Sequence, residues 1–299
     1  MALADTYSSA QPALRPGCDN RRHRTPRGVH EDTMLLEPQL ILELALLGLA
    51  TGFLAGLLGI GGGMLMVPFI SIILSAKGYP SEYTVKIAVA TSLAAICFTS
   101  LSSVRAHNRR GAVLWPIVRL LAPGILLGSL AGAQLAVALP GRILSVMFAA
   151  FVAFSATKML REDKPKATRT LPGPLGTFSM GGLIGVLSAL VGAGGAFISV
   201  PFMTWCNVKI HNAVGTSAAL GFPIALAGTL GYIWAGRSMP QMPPGSIGYL
   251  YLPGLVVVSL ASMSTAPLGA RTAHGMDIRP LRKMFAGLLY VLAAYFLFR

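Results

Sequence analysis

The chain reads as an all-α polytopic membrane protein built from two homologous repeats, each of about five helical segments that include a short broken helix at a glycine-rich cassette. Three observations predict this. Hydrophobic residues make up 54% of the 299 positions and charged residues only 11%, with a mean hydropathy of +0.66, far from the balance of a soluble domain. Apolar stretches recur every ~20–25 residues, near the ~20 residues a helix needs to cross a bilayer. The alternation of a membrane β-barrel is absent. Third, the cassette running from Gly48 to Phe69 returns, without a gap, from Gly181 to Phe202. Gly48 falls on Gly181, Gly52 on Gly185, Gly59 on Gly192, Gly61 on Gly194 and Gly62 on Gly195, and Val67-Pro68-Phe69 falls on Val200-Pro201-Phe202.

Apolar runs separated by turn residues place the segments of the first half near 38–59, 62–76, 85–104, 112–137 and 142–160. The first two are the two sides of the glycine cassette. The third carries Ala88, Val89, Thr91, Ser92 and Ala94, which reappear as Ala213, Val214, Thr216, Ser217 and Ala219. The fourth carries Gly132-Ala133, repeated as Gly269-Ala270. The fifth carries Arg142, Leu144, Met147, Phe148 and Ala149, repeated as Arg279, Leu281, Met284, Phe285 and Ala286. The second half follows near 175–192, 195–207, 212–235, 247–270 and 281–298, so the duplication spans the whole membrane portion. Residues 34–160 are then the first repeat and 175–299 the second. Between them lies a cytoplasmic linker at 161–174, the core of a basic, proline-containing stretch from Lys158 to Pro174. Residues 1–33 are arginine-rich with no apolar signal core and read as a disordered tail; Met34, directly before the first segment, is the alternative start, which would make the tail a start-site artefact.

Five segments is an odd number, so if each crosses or nearly crosses, the halves point in opposite directions. With residue 38 outside, 13 basic residues fall inside: Arg105, Arg109, Arg110, Lys158, Arg161, Lys164, Lys166, Arg169, Lys209, Arg271, Arg279, Arg282 and Lys283. Five (Lys77, Lys86, Arg142, Arg237 and Arg299) fall outside. Counting each cassette with its short partner as one crossing gives eight crossings, parallel repeats and a division of only 10 against 8. The positive-inside rule favours inverted repeats, provided that the basic tail is absent or translocated; a tail held in the cytoplasm favours the rival.

The net charge of +14 comes without an aromatic-interleaved basic face or zinc spacing, which argues against nucleic acid. Cys18, Cys97 and Cys206 are scattered and form neither a disulfide framework nor a metal site. The glycine run lacks the Lys-Ser/Thr of a phosphate loop and the preceding strand of a dinucleotide fingerprint. No cofactor is called for.

Glycines in mid-membrane let helices approach closely, as Gly52 and Gly56 do at four-residue spacing. They also permit a break, since Gly61–Gly63 accept positive φ. A break beginning at Gly59 starts a new helix near Gly62, whose unpaired N–H groups and positive dipole end suit an anion. Gly192, Gly194 and Gly195 offer the same in the second half, and two inverted half-helices would turn both positive ends on one substrate. The plain alternative is helix packing alone. After Glu43 the carboxylates are Glu82, Glu162, Asp163 and Asp277, all in predicted loops. Cation transporters and proton relays place acids within the membrane, so the expected substrate is a small anion. Thr91, Ser92, Thr216 and Ser217 are the candidate hydroxyl donors, with back-bonding to the i−4 carbonyl as the alternative. Arg119, about 10 Å into its helix, either binds the anion or snorkels to the interface. Its counterpart in the second half is Tyr249.

These features resemble the TauE/SafE family of sulfite exporters: the glycine run ending in Val-Pro, the downstream Ala-Val-x-Thr-Ser at 88–92 and 213–217, and the repetition of both. The resemblance covers residues 38–298. It implies a multi-pass permease of the inner (plasma) membrane that moves sulfite, sulfonates or related organosulfur anions by alternating access. Ala189, Ala193 and Ala196 depart from the first cassette, so the two half-sites need not bind equally. A membrane enzyme or maturation factor handling sulfur through Cys97 or Cys206 is an alternative from another class, and a passive anion channel a third. The expected partners are the substrate and the lipid bilayer; a homo-oligomer stays open.

Overall fold

A computed structural model describes residues 38–58, 63–161, 170–237, 242–243, 245–272 and 278–298. The tail, Gly59, Gly61, Gly62 and linker residues 162–169 lie outside the described residues. The first half comprises α1 (Pro38–Leu58), α2 (Gly63–Ala76), α3 (Ser81–Arg109), α4 (Trp115–Ala138) and α5 (Gly141–Leu160). The second comprises α6 (Pro174–Val191), α7 (Ala196–Trp205), α8 (Ile210–Ala235), a hairpin of β1 (Ser246–Ile247) and β2 (Leu250–Tyr251), α9 (Leu252–Thr272) and α10 (Ile278–Phe298). Five of these, α3 (counted from Glu82), α4, α5, α6 and α8, are long and apolar enough to cross a membrane.

Prolines open α4 and α6 in their first turns, where a missing N–H costs nothing. The third segment is longer than its apolar run because Glu82 stands in its first turn and His107 and Arg109 in its last, each sign matching the helix dipole. The ninth segment corrects the expected boundary. Residues 246–251 form an antiparallel hairpin, because Gly245 and Gly248 take positive φ and turn the chain before α9 begins. Tyr249 therefore sits in a turn and not on a helix.

The running directions follow from paired residues. A methyl group on Gly48 would collide with Ala261, and one on Gly52 with Ser262 and Thr265, so α1 and α9 run side by side in parallel. Gly48 and Gly52 thus face α9 at four-residue spacing, while the packing of Gly56 lies outside what is described. Gly124 lies against Phe178 and Gly182, and Gly132 against Val186 and Ala189, so α4 and α6 are also parallel. In contrast, Gly228 meets Leu93, Gly221 meets Ser100 and Gly215 meets Ala112, so α3 and α8 are antiparallel. So are α5 and α10, where Phe148 packs on Phe296 at 5.1 Å and Thr157 bonds Tyr290 at 2.6 Å. Each glycine seam lets backbones approach where a side chain has no room. The first helix of each half is thereby locked to the fourth of the other, and α3 and α8 form the central seam.

Candidate functional site

The second cassette shows how the break is made. Gly192 closes α6 with φ 71° and donates its N–H to Ser188 O at 2.9 Å, and Ala193 N–H reaches the same carbonyl at 3.2 Å. Gly195, φ 74°, opens α7 and accepts at its carbonyl from Ile198 and Ser199 N–H. A left-handed residue on both sides of one short loop requires glycine. The chain turns back here: α7 runs antiparallel to α8, with Gly195 against Ile224 and Ser199 against Ser217 further down. Similarly, α2 runs antiparallel to α3, with Gly63 against Ile96 and Ser92.

The two cassettes meet. Ser92 Oγ shares its one proton between Gly63 O (3.2 Å) and Gly192 O (3.1 Å), bridging the start of α2 to the end of α6. A methyl group on Gly63 would strike Gly192 O at 2.7 Å. Ile96, which touches both Gly63 and Gly194, is near the midpoint of α3, and Gly221, beside Gly194 O, is near the midpoint of α8. The start of α7 is thus at mid-height of the central seam. It has no side-chain cap, and among the described residues the N–H groups of Gly194, Gly195, Ala196 and Phe197 find no acceptor. A buried helix start normally finds one. Gly194 itself is half-buried, and among the described residues a methyl there would meet only Ile96 Cγ2, at an ordinary contact distance of 3.6 Å.

The predicted hydroxyls divide into two kinds. Thr91 and Thr216 are fully buried and serve structure: Thr91 Oγ1 accepts the N–H of Tyr251 (3.2 Å), directly before α9, and Thr216 Oγ1 accepts that of Leu114 (3.0 Å), directly before α4. Ser217 pairs with Ser199 at 2.7 Å. Arg119 is exposed in the second turn of α4, away from the seam. Cys97 is half-buried at the middle of α3, and Cys206 is buried just after α7; neither forms a disulfide. Among the described residues no group of acids, histidines and cysteines fit to hold a metal is present. The sequence reading passed over Ser188, whose buried hydroxyl has no partner and lies 3.1 Å from where a Cβ on Gly195 would stand. It also passed over Ser100, which flanks Gly221. Ser188 has Ala55 as its counterpart in the first cassette, so the repeat gave no signal for it.

A sequence model of the sulfite exporter TauE/SafE family matches residues 44–296, spanning the two cassettes and all ten helices in whole or in part. The chain belongs to the TauE/SafE family. It is 36% identical to a probable membrane transporter protein of Haemophilus influenzae over 85% of this chain and 96% of the relative. It is 30% identical to a probable membrane transporter protein of Bacillus subtilis over 79% and 90%, and 25% identical to one of Methanocaldococcus jannaschii over 88% and 96%. No solved structure matches. A TauE/SafE protein is a multi-pass membrane protein of a transporter family.

Proposed function

We propose that the chain is a secondary permease for a small oxyanion of the sulfite or sulfonate class, working by alternating access between two halves of opposite orientation. The observation that carries the reading is the uncapped start of α7 at the middle of the α3–α8 seam, half-open at Gly194. Its unanswered N–H groups offer several donors to one anion, and α2 begins at the same height on the other side of Ser92. The described carboxylates, Glu43 and Glu82, stand in the first two turns of α1 and α3, far from that height, so nothing there repels an anion.

The opposite orientation of the halves is supported by the antiparallel α3–α8 and α5–α10 pairs, which are the third and fifth helices of each half. The same directions bring Arg105, Arg109, Arg110, Lys158, Arg161 and Lys209 to one end of the helices, the end that the positive-inside rule assigns to the cytoplasm. Catalysis by Cys97 or Cys206 has no comparable support, since the two lie on different elements, Cys97 half-buried and Cys206 buried, and burial among apolar groups keeps a thiol inert.

The test is uptake of radiolabelled sulfite and of a small sulfonate into proteoliposomes, with Gly194→Leu as the variant. Gly194 has no positive φ, and among the described residues a Cβ there makes one ordinary contact, with Ile96, so leucine enters the path without straining the backbone. Saturable uptake that falls at least tenfold in the variant is expected. Absence of uptake of both compounds by the wild-type protein removes the sulfur-anion assignment, and non-saturable single-channel current replaces the permease by a channel.

A further inference from the structure

Lys86 takes no part in the glycine machinery, yet it is only 3% exposed. The sequence sets it at the start of the third segment and counts it among the outside charges; the structure buries it in the second turn of α3. Among the described residues its ammonium donates one hydrogen bond, to Val137 O at 2.8 Å in the last turn of α4. Two of its three donors have no acceptor there. Glu82, one turn back, is exposed and reaches it only through space. Capping a carbonyl of α4 accounts for one N–H, but a neutral donor would do that as well. A buried full charge is costly unless something answers it.

Its position on α3 indicates what answers it. Lys86, Leu93 and Ser100 follow at seven-residue spacing, so they share one stripe, and Leu93 and Ser100 meet Gly228 and Gly221 of α8. Lys86 therefore stands on the seam-facing stripe, ten residues from Ile96, about 15 Å along the helix, where the hydrocarbon ends if Ile96 is at mid-membrane. Continuing the α3–α8 pairing brings Gly236 level with the Val85–Lys86 turn, and the Gly248–Tyr249 backbone packs directly on Gly236. Tyr251 N–H on Thr91 Oγ1 holds the hairpin along α3. Tyr249 is fully buried, edge-on to Tyr232 at 6.3 Å between ring centres, and its hydroxyl has no partner. Burial pushes its phenol above the ordinary range, with Tyr83 and then Glu82 adding to the effect, so it remains an O–H donor. The sequence alignment sets it opposite Arg119, but the equivalent bonds of Tyr251 N–H to Thr91 and of Leu114 N–H to Thr216 set it opposite Ala112, which packs on Gly215. Only one end of the seam carries this pair.

We propose that Lys86 and the Tyr249 hydroxyl form a second oxyanion station at the mouth of the α3–α8 seam, at the end remote from Arg109, Arg110 and Lys209. The proposal rests on the permease reading, since the station serves an anion travelling to or from the glycine break. One oxygen of the anion takes an ammonium N–H and another the phenol O–H, while Lys86 keeps its bond to Val137.

The test uses the full chain in proteoliposomes of defined orientation, with radiolabelled sulfite presented from either side. Lys86→Gln keeps a donor for Val137 O and removes the charge; Tyr249→Phe removes only the unpartnered hydroxyl. The expected result is a KM raised about tenfold for Lys86→Gln and severalfold for Tyr249→Phe from the Lys86 side alone, with the opposite-side KM and the thermal midpoint unchanged. A fall in thermal midpoint with both KM values unchanged makes Lys86 a helix cap only and overturns the proposal. Should wild-type protein take up no sulfite, the permease reading fails separately. Thermal protection of the detergent-solubilised chain by sulfite then decides the station: protection lost in both variants upholds it, and protection absent or unaltered overturns it.

Discussion

At the scale of single residues, the three glycines of the second break have different duties. Gly192 and Gly195 hold positive φ, which costs other residues roughly 1–2 kcal/mol. At Gly192 a methyl also meets Val67 Cγ2 at 2.8 Å and the Val89 backbone at 3.2 Å. Thermal unfolding in detergent is expected to show Gly192→Ala destabilised by at least about 1–2 kcal/mol and Gly195→Ala by a similar amount. Gly194→Ala, unstrained and with one ordinary contact to Ile96, is expected within about 0.5 kcal/mol of wild type. A Gly194→Ala loss as large as that of Gly192→Ala would mean that the loop is built differently. Ser92→Ala removes the hydroxyl that two carbonyls share, and its expected cost is about 1 kcal/mol in the same measurement.

At the scale of elements, the repeated Thr-Ser pair does two jobs with adjacent residues. The threonine fastens the start of a helix from the other half, and the serine faces its own half-helix. Thr91→Val and Thr216→Val keep the shape and delete the acceptor, leaving the N–H of Tyr251 or Leu114 unanswered. Each is expected to lower stability by about 0.5–1.5 kcal/mol, and the double variant by about the sum, because the sites lie on different helix starts. Loss of transport without loss of stability in either single variant would instead put the threonine in the substrate path. The hairpin before α9 has no equivalent before α4, where a short turn at 110–114 suffices; the two ends of the seam are therefore built differently.

At the scale of the whole molecule, orientation is open to direct measurement. Asn212 Nδ2 donates to Ala112 O at 3.3 Å, which puts the α3–α4 turn and the start of α8 at one end. In a background with Cys18, Cys97 and Cys206 changed to serine, Gly111→Cys and Lys209→Cys are expected to react with a membrane-impermeant maleimide from the same side, and Gly78→Cys from the other. Labelling of positions 111 and 209 from opposite faces would sink the inverted arrangement and restore the eight-crossing layout.

Much of this was legible in the sequence because duplication and hydropathy are linear signals. The ten segments, the class of membrane protein and the two breaks all come from residues close together in the chain: an apolar run has to cover a span, and a glycine cluster between apolar runs has to bend. Gly63 and Gly192 were marked by the cassette alone. What the sequence could not supply was which groups face each other across the fold. Thr91 and Ser92 are neighbours in the chain, yet one turns to the start of α9 and the other to the gap between the cassettes. Lys86 looks like an outside charge at the start of the third segment until α4 closes over it, and Tyr249 looks like part of a helix until Gly245 and Gly248 turn the chain. The Lys86 and Thr91 bonds depend on partners 51 and 160 residues away, and only tertiary packing brings such distant groups within hydrogen-bonding distance.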